Sequence, residues 1–170
     1  MKRLVQSGVI LLVYGMLWAC SIPTSTQSID MIHPGEMVGD FLIDKGEEGH
    51  FTYSFEMECT SEGKDQNAVY TCSATVGEVV NISSGIYDNT GRNKLEEYWN
   101  TSDYKMSIEG KPVDLESFGS IDYNDPGVGV VKFWNVLIST DKPGTINIEE
   151  SGFVENSPFR YTSTISFNEP

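Results

Sequence analysis

The three cysteines Cys20, Cys59 and Cys72 carry the most specific chemistry in this sequence. If Cys20 is modified, an even pair remains, and an even pair in an exported domain predicts a disulfide. The closed loop is short, so we expect a stabilisation of about 3 kcal/mol. A metal or redox pair is the alternative. It is not favoured, because the spacing is far from Cys-x-x-Cys and neither His33 nor His50 has a ligand-like spacing from the pair.

Groups suited to catalysis are scarce. Nucleophilic catalysis needs a histidine base within reach, but His33 falls in or near the N-terminal linker and His50 opens a strand. Glycoside hydrolysis needs two carboxylates at a set separation. The pairs Glu96–Glu97 and Glu149–Glu150 are adjacent in sequence, and neighbours in a strand point to opposite faces. We therefore predict no catalytic residues and no enzyme, with a carboxylate-based hydrolase as the least favoured hypothesis.

Two stretches rich in hard oxygen ligands are the candidates for calcium, Asp88–Thr90 and Asp122–Asp125. The second resembles the start of an EF-hand, but Pro126 occupies a ligand position and no glutamate stands at the twelfth place. Asp, Asn and Gly also form ordinary turns. The sequence therefore predicts no metal site and no cofactor, and a structural Ca²⁺ ion remains the alternative.

Aromatic residues are the remaining candidates for a binding surface, because Trp and Tyr often anchor binding faces and sugar platforms. Trp134 lies in the most apolar stretch of the chain, so we predict that it belongs to the core. Tyr98 and Trp99 fall on a predicted short helix, and Tyr123 falls in a predicted loop. These three residues are the predicted binding aromatics.

Alternating apolar and polar residues indicate the strands that hold these groups. The clearest alternation covers residues 51–60, 70–76 and 159–167, with the period of two that is typical of a half-buried strand. Both Cys59 and Cys72 fall on the apolar side, which predicts a disulfide that faces inward.

The other elements follow from the same pattern. We predict one strand over 37–43, a central strand over 130–139, a short strand over 113–115, and loops over 61–67 and 119–129. Asn93 and Glu96 resemble a capping box that opens a short helix, and Pro143 with Gly144 fits a type II turn. Together these features predict an all-β, antiparallel β-sandwich with immunoglobulin-like packing and one short helix. A small β-barrel is the alternative.

The first twenty residues have the anatomy of an export signal. Lys2 and Arg3 precede an apolar run that is too short for a comfortable membrane span of about 20 residues. The run ends in Leu17-Trp18-Ala19-Cys20, which resembles the lipobox of bacterial lipoproteins, although Trp18 is larger than the residue usual at that position. The resemblance implies a signal peptide over 1–19, which is cleaved to leave Cys20 diacylated at the new N-terminus.

The lipoprotein resemblance also implies a location, the extracytoplasmic side of the cell envelope, where the lipid holds the protein to a membrane. Residues 20–35 are expected to form a flexible tether and 36–170 the β-sandwich domain. The alternatives are an ordinary signal peptide with an incidental cysteine and an uncleaved membrane anchor.

The net charge of the chain limits the classes of partner that it can bind. Without Lys2 and Arg3, the chain keeps 9 of its 11 basic residues against 25 acidic ones, a formal charge of −16. Such a charge repels phosphate backbones, so we expect no nucleic-acid partner. We predict a surface-anchored lipoprotein with a non-catalytic binding or scaffolding domain whose partner is an envelope protein or a glycan. A carbohydrate-binding module is the alternative function.

Overall fold

A computed structural model describes residues 30–46, 57–64, 66–88, 92–125 and 129–170, apart from the side chains of Lys64, Asp88, Arg92, Tyr123 and Asp125. The predicted signal peptide, Cys20, His50, Pro126 and most of the strand predicted over 51–60 lie outside the described residues. Of the first calcium candidate, Asp88–Thr90, only the backbone of Asp88 is described.

Thirteen strands and two short helices make up the described chain. The strands are β1 (Glu36–Val38), β2 (Phe41–Asp44), β3 (Glu58–Lys64), β4 (Asn67–Thr75), β5 (Val79–Asn81), β6 (Gly85–Asp88), β7 (Lys105–Ile108), β8 (Lys111–Pro112), β9 (Ser120–Asp125), β10 (Gly129–Trp134), β11 (Leu137–Ser139), β12 (Gly144–Val154) and β13 (Ser157–Asn168). The helices are α1 (Arg92–Thr101) and α2 (Leu115–Phe118).

The largest sheet has six strands in the order β3-β4-β13-β12-β7-β8. Its centre is the long hairpin of β12 and β13, which turns at Glu155 and Asn156, both with positive φ. All its neighbours are antiparallel except β4 and β13, which run parallel. The prediction of a wholly antiparallel sandwich is wrong at this pair. Parallel neighbours need a long connection, and here most of the domain lies between the two strands.

The core lies between the inner face of this sheet and a four-stranded sheet of order β1-β2-β11-β5. Phe41 from the smaller sheet and Phe167 from the larger one have ring centroids 5.6 Å apart. Aliphatic residues of both sheets are fully buried in the same cluster, among them Ile43, Ile138 and Ile146. The predicted all-β, sandwich-like fold is therefore confirmed. None of the described sheets closes on itself, so the small-barrel alternative is wrong.

A third sheet, β6-β10-β9, extends the sandwich and packs against α1. The strand predicted over 130–139 is in fact two strands, because β10 lies at the centre of this sheet and β11 lies inside the four-stranded one. The chain changes sheet at Asn135, which is buried and exchanges two hydrogen bonds with the backbone of Gly46. A continuous apolar run, which predicts one strand buried on both faces, can thus form two strands in different sheets.

Polar edge strands account for further differences from prediction. The predicted loop over 61–67 is mostly strand, because β3 continues to Lys64, and the predicted loop over 119–129 contains β9. Both β3 and β9 are edge strands, where exposed side chains remove the alternation that marks a half-buried strand. The strand predicted over 37–43 is a hairpin of β1 and β2 that turns at Gly39, which has φ +62°.

The helices also differ from prediction. Asn93 lies inside α1 and is not its N-cap, and the predicted strand over 113–115 contributes only one bridge, between Val113 and Ile32. Leu115 instead opens α2, a second helix of four residues that the alternating pattern does not indicate. Neither helix in the described part of the chain is long and apolar enough to cross a membrane.

The turn at 141–144 is not of type II, since that turn needs a positive φ at its third residue. Gly144 does not have one and begins β12. A Cβ atom at Gly144 would lie 3.0 Å from Cζ of Phe41. The packing of the two sheets therefore explains the glycine, not the turn.

The chain joins the domain within the predicted tether. Ile32 is fully buried, and its N–H donates to the carbonyl of Pro112 over 2.8 Å. Just before it, the carboxylate of Asp30 lies 3.1 Å from Nζ of Lys111. The N-terminal segment therefore enters the fold beside β8, at one edge of the six-stranded sheet.

Candidate functional site

Cys59 and Cys72 lie directly opposite each other on β3 and β4. Their Cα atoms are 4.1 Å apart and the sulfur atoms are bonded, so the predicted disulfide is confirmed. Its predicted orientation is only half right, because Cys72 is buried but Cys59 is exposed on the edge strand. The bond links the edge strand to its neighbour at the margin of the core.

Of the predicted binding aromatics, Tyr98 and Trp99 contact neighbouring side chains. Trp99 packs on Trp134, with ring centroids 4.7 Å apart, and Nζ of Lys132 lies 5.1 Å from the centre of the Trp99 ring. The hydroxyl of Tyr98 donates to Glu155 over 2.7 Å. The side chain of Tyr123 lies outside those described. Trp99 thus joins α1 to the third sheet.

The second calcium candidate is a strand and not a loop. Residues 122–125 belong to β9, so successive side chains alternate between the two faces of the sheet and do not converge. Asp122 lies 4.0 Å from Nζ of Lys132, which also contacts Glu96 over 2.9 Å. Among the described residues, no three His, Cys, Asp or Glu side chains are grouped to hold a metal ion.

The adjacent carboxylates separate as the strand geometry requires. Glu149 is exposed on the outer face of β12, whereas Glu150 is only 4% exposed and points into the fold. Glu96 contacts Lys132 on the third sheet, and Glu97 is exposed. The carboxylates of Glu149 and Glu150 therefore point to opposite faces of β12.

Glu150 forms the most distinctive buried polar cluster of the described chain. Its carboxylate accepts hydrogen bonds from the backbone N–H of Ser84 over 2.6 Å, from the Ser84 hydroxyl over 2.7 Å and from the Tyr104 hydroxyl. Ser84 immediately precedes β6 and Tyr104 immediately precedes β7. The carboxylate therefore joins the six-stranded sheet to the start of the third sheet, and both of its oxygens are occupied.

Burial controls the protonation of this cluster. It raises the pKa of Glu150, while the hydrogen bonds from Tyr104 and Ser84 act in the opposite direction. Burial is also the main reason that the pKa of Tyr104 lies well above its ordinary value of 10.0, and the negative charge of Glu150 adds to the rise. Aromatic rings surround the cluster, with Trp134 and Phe159 centred 6.5 Å and 6.1 Å from Tyr104.

Tyr104 should therefore ionise late. In a spectrophotometric titration of the native protein, we expect a tyrosine phase well above pH 10, and Tyr104→Phe should remove it. Because the native pKa is raised, the native state keeps a proton that the unfolded chain releases, so stability should fall as the pH rises through 10. The control Tyr87→Phe, at an exposed tyrosine, should leave the late phase in place. If Tyr87→Phe removed the late phase and Tyr104→Phe did not, the assignment of that phase to Tyr104 would be wrong.

The outer face of the six-stranded sheet carries a field of hydroxyl and amide side chains, here called the outer polar face. Strand register places its members in two neighbouring rows across β3, β4, β13 and β12. One row consists of Thr60, Thr71, Thr164 and Asn147, and the other consists of Ser73, Ser166 and Thr145 with Glu58 at its β3 position. The Thr164 hydroxyl donates to Asn147 over 3.0 Å, and a hydroxyl that donates can still accept from a partner.

A recess of about 330 Å³ opens beside this face, and we call it the Lys105–Arg160 recess. Lys105 and Arg160 stand on either side of it, Ser107 and Ser151 contribute hydroxyls, and the lining is completed by Met106, Pro112, Glu149 and Glu150. The strand register aligns Lys105, Ser151 and Arg160 in one row across β7, β12 and β13. Two cations therefore flank one hollow in a strongly acidic protein.

Sequence reasoning missed Glu150, although a signal was present. Ile146 and Ile148 mark the inward positions of β12, and Glu150 continues that register. A glutamate at an apolar position of an alternating strand indicates a buried carboxylate with protein partners. The Lys105–Arg160 recess had no comparable signal, because its two cations are far apart in sequence.

Comparison with known proteins supplies no relative: no protein-family model, no curated protein and no solved structure matches this chain. The function must therefore be argued from the geometry of the described residues.

Proposed function

We propose that this protein is a non-catalytic binding module of the bacterial cell envelope, held at a membrane surface by lipid on Cys20. In this proposal, the outer polar face of the six-stranded sheet contacts the partner, an envelope protein. The observation that carries the proposal is that this face presents a field of hydroxyl and amide side chains over four adjacent strands, with the carboxylate of Glu58 at its β3 edge, in a strongly acidic chain.

Two features support binding over catalysis. Glu150, the one strongly buried carboxylate among the described residues, has both oxygens bound by protein donors and offers no free oxygen to a substrate. The outer polar face has its backbone groups paired within the sheet, so its side chains are held on a rigid frame. A rigid polar surface costs little conformational entropy when a partner binds.

Two other features support an extracytoplasmic location. A disulfide such as Cys59–Cys72 persists in oxidising compartments. The Leu17-Trp18-Ala19-Cys20 stretch resembles a lipobox, and the described chain enters the domain only ten residues after Cys20. The resemblance and the disulfide point independently to export.

A photocrosslinking experiment in intact cells tests the binding face. A photoreactive residue at Thr71, in the middle of the outer polar face, should capture a discrete envelope protein. The matched control at Thr101, an exposed threonine on α1, should not. Equal capture from both positions, or capture from neither, would contradict the proposed face. A Cys20→Ala chain should lose the capture if the lipid anchor brings the two proteins together.

Carbohydrate binding remains the second candidate, because the same hydroxyl groups could bind the hydroxyls of a glycan. The aromatic residues do not support this candidate, since Trp99 is covered by Trp134 and Lys132. The crosslinked product separates the two candidates: a protein partner is degraded by protease, whereas a glycan partner is not.

A further inference from the structure

We infer that the Lys105–Arg160 recess binds a phosphate group, and that its position beside the tether suits the headgroup of a membrane lipid. The inference deepens the proposed binding function, and its lipid arm depends on the proposed anchor at Cys20. The argument rests on the donors that line the recess, on its place in the fold and on the charge around it.

The donors suit a tetrahedral oxyanion. Lys105 and Arg160 lie two strands apart in one row, so their Cα atoms are separated by about 10 Å. Ser151 lies between them. A guanidinium offers a planar fork of donors that matches phosphate oxygens, and an ammonium acts as a point charge. The recess therefore combines a fork, a point charge and a hydroxyl around one hollow.

These donors are not used up by the protein. Arg160 uses one terminal nitrogen for Glu149 over 2.7 Å, and Lys105 contacts Asp103 over 2.8 Å. Five N–H donors on arginine and three on lysine leave most of their capacity free. Within the described chain, the hydroxyls of Ser107 and Ser151 take part in no hydrogen bond. A ligand can thus bind without breaking either ion pair.

The recess also lies where the chain arrives from the proposed anchor. Pro112 lines it, and the carbonyl of Pro112 accepts the N–H of Ile32 at the start of the described chain. The ten residues from Cys20 to Asp30 can span at most roughly 35 Å. A lipid on Cys20 would therefore keep the recess within reach of the headgroups of the same membrane.

Negative charge on the rest of the chain favours this recess over other surfaces as a site for an anion. The chain carries 25 acidic residues, which repel an anion from most of its surface. At the recess, Lys105 and Arg160 are each paired with a carboxylate and Glu149 also lines the hollow, so an anion would be held there by the free N–H and hydroxyl donors and not by a net positive charge. We therefore expect one anion to bind at this recess and not diffusely.

Titration of the Cys20→Ala chain with inorganic phosphate, followed by NMR at about 0.15 M salt to screen long-range charge, tests the recess. We expect saturable binding that Lys105→Gln and Arg160→Gln each weaken about tenfold, because each removes a charge-assisted donor. The matched control is Lys142→Gln, an exposed lysine 2.8 Å from Asp40. It changes the net charge equally and should leave binding unaltered.

Vesicle flotation then identifies the source of the phosphate. The same chain should float with phosphatidylglycerol vesicles, should do so less with phosphatidylcholine vesicles, and should lose flotation with Arg160→Gln. Binding of free phosphate without flotation would support the recess with soluble phosphate as its ligand. No saturable phosphate binding, or equal losses in all three variants, would overturn the inference. Neither result depends on the Thr71 crosslink, so failure of the recess and failure of the binding face can be told apart.

Discussion

Replacing Glu150 with alanine should lower the free energy of unfolding by about 3 kcal/mol or more. The change removes the acceptor of the Ser84 and Tyr104 hydroxyls and one of the two acceptors of the Ser84 N–H, which also donates to the Tyr104 hydroxyl. Each unsatisfied buried donor costs about 1–3 kcal/mol. The change also leaves a cavity where the side chain was only 4% exposed. Urea unfolding followed by tryptophan fluorescence measures this loss, because Trp134 lies close to Tyr104.

Glu150→Gln is the matched control, since it keeps the shape and one acceptor oxygen. We expect a smaller loss than with alanine. An alanine variant as stable as the glutamine variant would show that the carboxylate does not join the sheets.

A comparison of the wild type with Glu150→Gln reports the protonation of Glu150. Burial raises the native pKa of Glu150 above the ordinary value of 4.5, so the native state binds a proton more tightly than the unfolded chain does. The stability that this proton contributes is complete below pH 4.5 and is lost as the pH rises through the native pKa. The stability of the wild type relative to Glu150→Gln should therefore fall as the pH rises above 4.5. A difference that is constant or increases with pH would contradict the assignment.

Removing the disulfide should lower the free energy of unfolding by about 3 kcal/mol, because Cys59 and Cys72 close a short loop, 13 residues apart in sequence. The suitable variant combines Cys59→Ser with Cys72→Ala, since position 59 is exposed and position 72 is buried. Both proteins should carry Cys20→Ala so that no other thiol interferes. Chemical denaturation measures the difference.

A reductant supplies the control for the disulfide. It should destabilise the parent protein to about the level of the double variant and should leave the double variant unchanged. A parent protein whose stability does not respond to complete reduction would show that the bond contributes nothing to the fold.

Local patterns were sufficient for much of this fold. Alternation identified β4 and β13 and their buried faces, because one covered face imposes a period of two on any strand. The pairing of Cys59 with Cys72 followed from the count of cysteines, because an even pair remains once Cys20 is set aside. The fold class follows from such strands and does not require knowledge of their order.

Strand order and the candidate sites required the tertiary structure. Nothing local distinguishes the parallel pairing of β4 with β13 from an antiparallel one, because the partner is chosen by packing across the whole domain. The polar edge strands β3 and β9 resembled loops for a related reason, since β3 has no buried side chain among those described and β9 has only Ile121, which leaves little alternation to detect.

Residues far apart in sequence formed both sites that the sequence did not predict. Ser84, Tyr104 and Glu150 meet only because three segments converge where two sheets join. Lys105 and Arg160 flank one recess only because β7, β12 and β13 lie side by side. The alternation of residues in a sequence indicates which side chains of a single strand are buried. A site depends on which strands become neighbours, and that is settled only when the whole core packs.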